Sequence, residues 1–311
     1  MATTINNLRE SSMDYRPNGC VIRFSTLALM LLVSTFVVAH GPARLLKQAP
    51  TIKPETCGQI ENIEQCHQDY LTGCTASANP RYDAYLNYLK NQNPKPTVTP
   101  AKNLTQKDFE KLDRTMPADL KPGHNAEHAN ELAALGQGAF QSVVGYLYVA
   151  FPSGVESTNC QLKDDTKDAN GMPNHNNVDY HIHIGFDSAI AERLRGGWKP
   201  NKDETHGLQQ QSVIVEMTPH YRAWNQPNWT IDLVTGVMGR QVKVVGQLLA
   251  DNEHIKASDS CAHPNADKSK CWRASIWELH PVTEFYVCGP NVDSTCSAMS
   301  PNWMKLKDLA Q

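Results

Sequence analysis

The fold is decided by residues 212–250, which read SVIVEMTPHYRAWNQPNWTIDLVTGVMGRQVKVVGQLLA. Both ends, SVIVEM at 212–217 and QVKVVGQLLA at 241–250, are rich in β-branched residues and are typical of strands. Between them, WTIDLVTGVM at 229–238 indicates a short helix with Thr230 as the candidate N-cap. The stretch therefore predicts a strand, a helix and a strand in that order.

Three further strands flank this stretch. Two precede it, FQSVVGYLYVAF at 140–151 and VDYHIHIGF at 178–186. One follows it, RASIWELHPVTEFYV at 273–287, with a bend expected at Pro281. Residues 187–211 are polar, and we expect a loop there with one helical turn.

The resulting order, β-β-β-α-β-β, is that of the OB-fold, a five-stranded, partly open Greek-key barrel. Gly145 and Gly246 lie inside the first and fourth strands, where glycine suits the strong coiling of a small barrel. A generic small β-sandwich is the alternative. We therefore expect a mainly β protein built on a five-stranded OB-like barrel, with a small N-terminal disulfide-tied helical element.

The 311 residues allow one large domain or two small ones. The segment RYDAYLNYLKNQ at 81–92 places aromatic and leucine residues at helical spacing, and Pro94 ends the pattern. The predicted segments are a signal peptide or N-terminal anchor (1–39), a linker (40–56), a small Cys-containing helical region with a proline-rich linker (57–135), the OB-like β-barrel domain (136–290) and a C-terminal tail (291–311).

One apolar segment, FSTLALMLLVSTFVVA at 24–39, could meet a membrane. Its 16 residues fall short of the roughly 20 that span a bilayer as a helix. Arginines precede it and small residues end it, which is typical of a secretory signal cleaved after Ala39. We therefore expect a secreted or periplasmic protein; the alternative is a membrane anchor through this uncleaved segment.

The cysteines agree with export. The chain has nine, and Cys20 would be lost with the signal, which leaves eight. An even number in an exported chain predicts disulfides, whereas thiolate metal sites usually contain C-x-x-C pairs, which are missing here. We expect two short loops, Cys261–Cys271 and Cys288–Cys296. The pairing among the others stays open: Cys57, Cys66, Cys74 and Cys160.

The formal net charge of -3 disfavours nucleic acid as a partner, because such proteins neutralise phosphates with many basic side chains. OB barrels also bind oligosaccharides. A carbohydrate or cell-envelope ligand would tolerate the charge better.

Polar side chains interrupt the apolar strands. His181 and His183 lie two residues apart and thus on one face of strand two. Glu216 lies on strand three, on the face opposite Val213, Val215 and Met217. In a β-meander the start of strand two faces the end of strand three. We therefore expect one of the two histidines to reach Glu216.

Strand five carries a second pair on one face, Glu278 and His280, which joins the first if strand five closes against strand three. His254 follows strand four. The candidate metal ligands are His181, His183, Glu216, His254, Glu278 and His280, and the candidate catalytic residues are His181, Glu216 and His280.

Three interpretations of this group are open. Imidazole and carboxylate together can bind a divalent metal such as zinc, which could activate water. A histidine–glutamate pair can also do acid–base chemistry without metal. Alternatively, these groups merely satisfy one another across strands. The motifs H-E-x-x-H, G-x-S-x-G and the P-loop are absent from the sequence.

Several segments together resemble a family of exported bacterial proteins of unassigned function. They are VESTNC at 155–160, DYH at 179–181, VEMTP at 215–219, VVGQL at 244–248, DNEH at 251–254 and WELHPVT at 277–283. The resemblance covers residues 138–288 and implies an OB-like domain, without an activity. His220 stands where an arginine is more usual in that pattern.

The sequence alone favours a secreted or periplasmic binding or interaction protein whose ligand is unassigned. The alternative is a metal-dependent, phosphodiesterase-like hydrolase that uses the histidine and glutamate residues named above.

Overall fold

The computed structural model describes residues 57–75, 82–95, 102–164, 167 and 171–310. The predicted signal or anchor and the linker that follows it lie outside the described residues. No helix within the described residues has both the length and the apolar character needed to cross a membrane.

The described part of the chain contains seven strands: β1 (Lys102–Leu104), β2 (Phe140–Pro152), β3 (Tyr180–Gly185), β4 (Val213–Met217), β5 (Gln241–Ala250), β6 (Trp277–Cys288) and β7 (Trp303–Lys305). It contains eight α-helices: α1 (Ile63–Asp69), α2 (Ala84–Lys90), α3 (Gln106–Thr115), α4 (Ala129–Leu135), α5 (Ser188–Arg195), α6 (Lys202–Gln210), α7 (Pro219–Asn225) and α8 (Ile231–Thr235).

Five strands close into a barrel, as predicted. The neighbours run β2-β3-β4-β6-β5, and β5 pairs back with β2. All these pairs are antiparallel except β4–β6, which is parallel. Helices α7 and α8 lie between β4 and β5, where the sequence predicts one helix, and α5 and α6 lie between β3 and β4. The two short strands outside the barrel extend it: β1 pairs with β2, and β7 pairs with β6.

Alternation along the barrel strands separates an apolar face from a polar one. One continuous apolar cluster takes residues from all five strands, including Leu147, Ile182, Val215, Val244 and Leu279. Because successive side chains point to opposite faces, the residues between them face outward from the barrel. On β3, β4 and β6 those outward residues are the polar candidates.

The N-terminal helices cover part of this outer surface. Helix α2 packs Tyr85, Leu86 and Leu89 against Leu249 of β5. Its N-terminus is capped by Asp83, whose carboxylate accepts a hydrogen bond from the Leu86 backbone N–H. The outer face of the barrel is therefore buried where α2 crosses it.

Four disulfides are present among the described residues. The two expected short loops, Cys261–Cys271 and Cys288–Cys296, are confirmed. The pairs left open by the sequence are Cys57–Cys74 and Cys66–Cys160. The second of these spans 94 residues and ties α1 to the loop after β2, which confirms a disulfide-tied helical element.

The prediction of a polar loop at 187–211 is wrong, because helices α5 and α6 occupy most of these residues. Asp187 caps the first, and Asn201 forms a capping box with Glu204 at the start of the second. Each helix buries one or two apolar side chains, including Leu194 and Leu208, which pack beside β2. So few apolar positions give a weak periodic signal. By contrast, the predicted cap of α8 at Thr230 is confirmed.

We expect Gly246→Ala to destabilise the protein by about 1–3 kcal/mol, because overpacking at a tight contact forces the backbone to shift. A Cβ at this position would lie 2.7 Å from the Pro281 carbonyl oxygen and 3.0 Å from the Leu279 Cβ. Gly207→Ala on α6 is the control, since a Cβ there meets no atom within 4 Å. That change should stabilise by about 0.5–1 kcal/mol. Urea unfolding measures both, and equal midpoints would contradict the expectation.

A second prediction concerns acid stability. His67 of α1 is buried and stacks on His220 of α7, with ring centroids 3.8 Å apart. Burial, together with the neighbouring His220, lowers the pKa of His67 to about 2. His67 is therefore protonated below about pH 6.5 in the unfolded chain but stays neutral in the folded chain. The free energy of unfolding consequently falls as the pH drops below that value.

His67→Phe keeps a stacked ring and removes the titration. Between pH 7.5 and pH 5 we expect the native protein to lose about 2 kcal/mol more unfolding free energy than the variant. Urea unfolding at the two pH values gives the difference. Parallel losses in both proteins would show that the stacked pair does not set the acid sensitivity.

Candidate functional site

Strand register brings the predicted polar residues together. His181 of β3 lies directly opposite Glu216 of β4. The parallel pairing of β4 with β6 sets Val215 opposite Leu279, so Glu216 is adjacent to the outward-facing His280. The expected meeting of the second, third and fifth predicted strands is therefore observed.

Four of these side chains form a continuous chain of contacts. The His181 Nε2 lies 3.3 Å from the Glu216 Oε1, and the Glu216 Oε2 lies 2.9 Å from the His280 Nδ1. The same His280 Nδ1 is 3.1 Å from the Glu278 Oε1. The His181 side chain is 12% exposed, whereas the other three are fully buried. The chain thus runs from the surface into the protein.

Two buried cations meet the inner end of this chain. The Lys90 Nζ lies 2.9 Å from the Asp251 Oδ2 and 3.8 Å from the Glu278 Oε1. The Arg273 NH1 lies 3.1 Å from the Glu278 Oε2 and 3.7 Å from the Asp251 Oδ2. Charges without solvent are tolerated only when they are paired, and here each cation contacts both carboxylates.

The ionisation of the chain follows from these contacts. Burial alone would raise the pKa of Glu216, but His181, His280 and Lys90 hold it well below its usual range. Burial alone would lower the pKa of His280, but Glu216 and Glu278 raise it to about 10. Asp251 likewise has a lowered pKa, because Lys90 outweighs its burial. The network is therefore charged at neutral pH.

Asp179 joins the group from the start of β3, two residues before His181. Its Oδ2 accepts a hydrogen bond of 2.7 Å from the Asn159 Nδ2. Its Oδ1 is buried and has no hydrogen-bond partner in the described part of the chain. Burial, reinforced by the nearby Glu156 carboxylate, raises the pKa of Asp179 to about 8.

A cleft of about 390 Å³ opens over this cluster. His181 and Lys90 reach it from below, and His254 and Trp272 line one wall. The Trp272 ring is parallel to the His181 ring at 6.3 Å and meets the His254 ring edge-on at 4.9 Å. Hydroxyl and amide side chains line the rest: Asn87, Ser153, Ser157 and Thr158.

Two predicted residues lie apart from the central contacts. His183 shares the face of His181, but its Nδ1 lies 2.9 Å from the Ser212 Oγ and its ring packs on Phe151. Burial lowers the pKa of His183 well below its usual value. His254 is at the rim, with its Nε2 3.8 Å from the Asp251 Oδ2. The first is a buried structural side chain, and the second belongs to the cleft wall.

Sequence reasoning missed four members of the cluster. Asp179 carries a usable signal, since it lies two residues before His181 and so shares its face. Asp251 follows the end of β5. Arg273 precedes β6, which begins at Trp277 and not at Arg273 as predicted, so strand alternation places neither side chain. Lys90 ends a helix 161 residues before its partner Asp251, and no local sequence pattern predicts that contact.

Two groups in this cluster have the spacing of metal ligands. One ligand atom from each of Asp179, Glu216 and His280 lies within 4.8 Å of the other two. The same holds for Glu216, Asp251 and Glu278. In the second group, Lys90 and Arg273 already contact two of the carboxylates. A further group, Cys57, Cys74 and Cys160, is held in disulfides and so offers no thiolate.

A larger pocket, of about 1000 Å³, lies elsewhere, between α3 and the loop around the Cys261–Cys271 disulfide. Its apolar wall surrounds Asp113, whose Oδ1 accepts hydrogen bonds from the Ser275 Oγ and the Ile276 N–H. None of the six candidate metal ligands lines it. The cleft over the polar cluster is therefore the better candidate for the functional site.

Comparison with known proteins finds no match to a family model, to a curated protein or to a solved structure.

Lys90→Met tests the buried network. Removing one partner of a buried ion pair leaves Asp251 and Glu278 undercompensated, and we expect a loss of about 3–5 kcal/mol in unfolding free energy. Lys102→Met is the matched control, because the Lys102 Nζ is also 2.9 Å from an aspartate, Asp108, but is 65% exposed. That loss should stay below about 1 kcal/mol. Similar losses in urea unfolding would show that the buried pair contributes no more than a surface pair.

Proposed function

We propose that the protein is a hydrolase whose active site is the cleft above the buried cluster. The observation that carries this proposal is the chain His181–Glu216–His280. Each contact in it is 3.3 Å or shorter, and His181 alone of the three reaches the cleft. A histidine that faces a cleft and is oriented by a buried carboxylate is the arrangement used to take a proton from water or an alcohol.

In this proposal His181 touches the substrate, and Glu216 is a positioning residue. His280 contacts the other oxygen of Glu216 and so fixes the plane of that carboxylate. Lys90 and Arg273 hold Glu278, the second carboxylate at the His280 Nδ1. Such preorganised charges need no rearrangement during the reaction, which is the main advantage of a buried network in catalysis.

The cleft favours a neutral, polar substrate over a phosphodiester. Its cation, Lys90, contacts Asp251 and Glu278. Two further carboxylates, Glu156 and Glu253, line the cleft and would repel a phosphate. Hydroxyl and amide groups beside the Trp272 ring suit a saccharide, which matches the carbohydrate or cell-envelope ligand expected from the sequence.

A saccharide-binding protein without catalysis is the second candidate function. It is favoured by Trp272, since an aromatic ring at the wall of a polar cleft can pack against the apolar face of a sugar. This is the binding function that the sequence alone favours.

The four disulfides indicate an oxidising compartment. We propose that the chain reaches it by secretion, through the apolar segment within residues 1–39. We also propose kinship with the exported bacterial proteins that the sequence resembles.

Hydrolysis of p-nitrophenyl acetate, p-nitrophenyl N-acetylglucosaminide and bis-p-nitrophenyl phosphate tests the proposal, with nitrophenolate absorbance as the readout. We expect turnover of a neutral substrate and a loss of about 10²–10⁴-fold in kcat for His181→Gln, the range for removal of a general acid–base group. His206→Gln on α6, outside the cleft, is the control and should retain full activity.

Glu216→Gln should lower kcat in the same assay. Circular dichroism must show that the variant is folded, because Glu216 is buried. Full activity in a folded His181→Gln variant would refute the proposed site. If the native protein turns over none of the three compounds but chitotriose quenches its tryptophan fluorescence, the binding function replaces the hydrolase.

A further inference from the structure

We propose that Asp179, Glu216 and His280 bind a divalent transition-metal ion, Zn²⁺ or Mn²⁺, beneath the cleft. Two carboxylates and one imidazole form a nitrogen–oxygen ligand set that suits both ions. This inference adds a cofactor to the proposed hydrolase. It stands on its own observations, however, and can be tested without any activity.

The first observation is spacing. Ligand atoms bound to one ion at roughly 2.0–2.2 Å lie about 3–4 Å from one another. One ligand atom from each of the three residues already lies within 4.8 Å of the other two. All three side chains are fully buried, so their positions are fixed by packing. Coordination would bring these three atoms closer together than the 4.8 Å limit within which they lie.

The second observation is that each proposed ligand has a buried polar atom without a hydrogen bond. The Asp179 Oδ1, the Glu216 Oε2 and the His280 Nε2 have no hydrogen-bond partner among the residues that the structure describes. Leaving such atoms unsatisfied inside a protein is costly, and buried polar atoms of this kind are often satisfied by a bound ion or water. A cation held by the three residues together would satisfy these atoms.

The third observation is that the opposite atom of each residue is already held. The His280 Nδ1 forms its hydrogen bond with the Glu278 Oε1, at 3.1 Å. The Asp179 Oδ2 accepts its hydrogen bond from Asn159. Metal-binding histidines commonly donate their other ring N–H to a carboxylate, which fixes the tautomer and orients the free nitrogen. His280 has this arrangement, with Nε2 left for the ion.

His181 connects the proposed metal site with the cleft. Its Nε2 is 3.3 Å from the Glu216 Oε1, on the side of the cluster that meets the cleft. Catalytic metal sites usually have three protein ligands, whereas structural sites usually have four. The bound ion would supply a Lewis acid or an activated water beside His181.

Metal binding by the full chain tests this site. The protein is treated with a chelator and dialysed against ZnCl₂ or MnCl₂, and bound metal is measured by elemental analysis. We expect about one ion per chain. We also expect a rise in Tm of roughly 5–10 °C when free metal is about 100 times the Kd, the shift for a ligand that binds only the folded state.

Asp179→Asn should weaken binding at least tenfold while keeping an acceptor for the Asn159 amide. Asp113→Asn is the matched control. It also replaces a largely buried carboxyl that accepts hydrogen bonds, but in the larger pocket, and it should bind metal like the native protein. A measurement on the native chain alone guards against misfolded variants: Co²⁺ loading should give visible absorption bands of nitrogen–oxygen ligation without thiolate charge transfer.

The proposal is overturned if the native protein retains no ion, or if Asp179→Asn binds as much metal as the native chain. The two proposals can also fail separately. An ion bound at this site in a protein that hydrolyses nothing supports the metal site and refutes the hydrolase. Hydrolysis by His181 in a protein that binds no metal refutes the metal site and supports a metal-free hydrolase.

Discussion

The contact on which the rest depends is that between Lys90 and the carboxylates of Asp251 and Glu278. Lysine at the end of α2 and the two acids of the barrel are all removed from water, so neither side can be moved without leaving a bare charge behind. Replacing such a pair by apolar residues is often neutral or stabilising, and a buried ion pair is therefore weak evidence for stability. What it fixes is position. The apolar contacts of Tyr85, Leu86 and Leu89 hold α2 against the barrel, and Lys90 places the end of the helix beside Asp251 and Glu278.

Alternation in the barrel strands explains why a polar cluster can exist here. The inward residues of β3, β4 and β6 form an ordinary apolar core, and the outward residues would meet water if nothing covered them. The α2 helix and the loops around Asp251 and Trp272 cover them, so these groups lie outside the barrel but inside the protein. A site of this kind leaves the core intact. It also has an opening, because the cleft remains where the covering segments do not meet.

Local patterns predicted the parts of the structure that local rules control. The order of strands and helix follows from residue composition, and the approach of His181, Glu216 and His280 follows from a period of two and the pairing of neighbouring strands. Short-loop disulfides such as Cys261–Cys271 could be assigned for the same reason. Contacts between residues far apart in the sequence could not be predicted. The residues around Cys66 and Cys160, and those around Lys90 and Asp251, carry no pattern that indicates these contacts. Helices α5 and α6 were not predicted, because their stability comes from capping and from one or two buried apolar side chains.

The carboxylates of the cluster that Lys90 and Arg273 do not neutralise can be neutralised either by protons or by a metal ion. In the chain by itself, a proton on His280 and a proton on Asp179 offset the carboxylates that Lys90 and Arg273 leave over. Glu216 and Glu278 raise the pKa of His280, whereas burial and the nearby Glu156 raise the pKa of Asp179. A divalent ion would offset the same two charges. Either way the cluster stays neutral as a whole, which is the condition for burying so many ionisable groups. The two states differ in reactivity. In the protonated state without metal, His181 is the reactive group that meets the cleft. In the metal-bound state, a Lewis acid would lie directly behind His181.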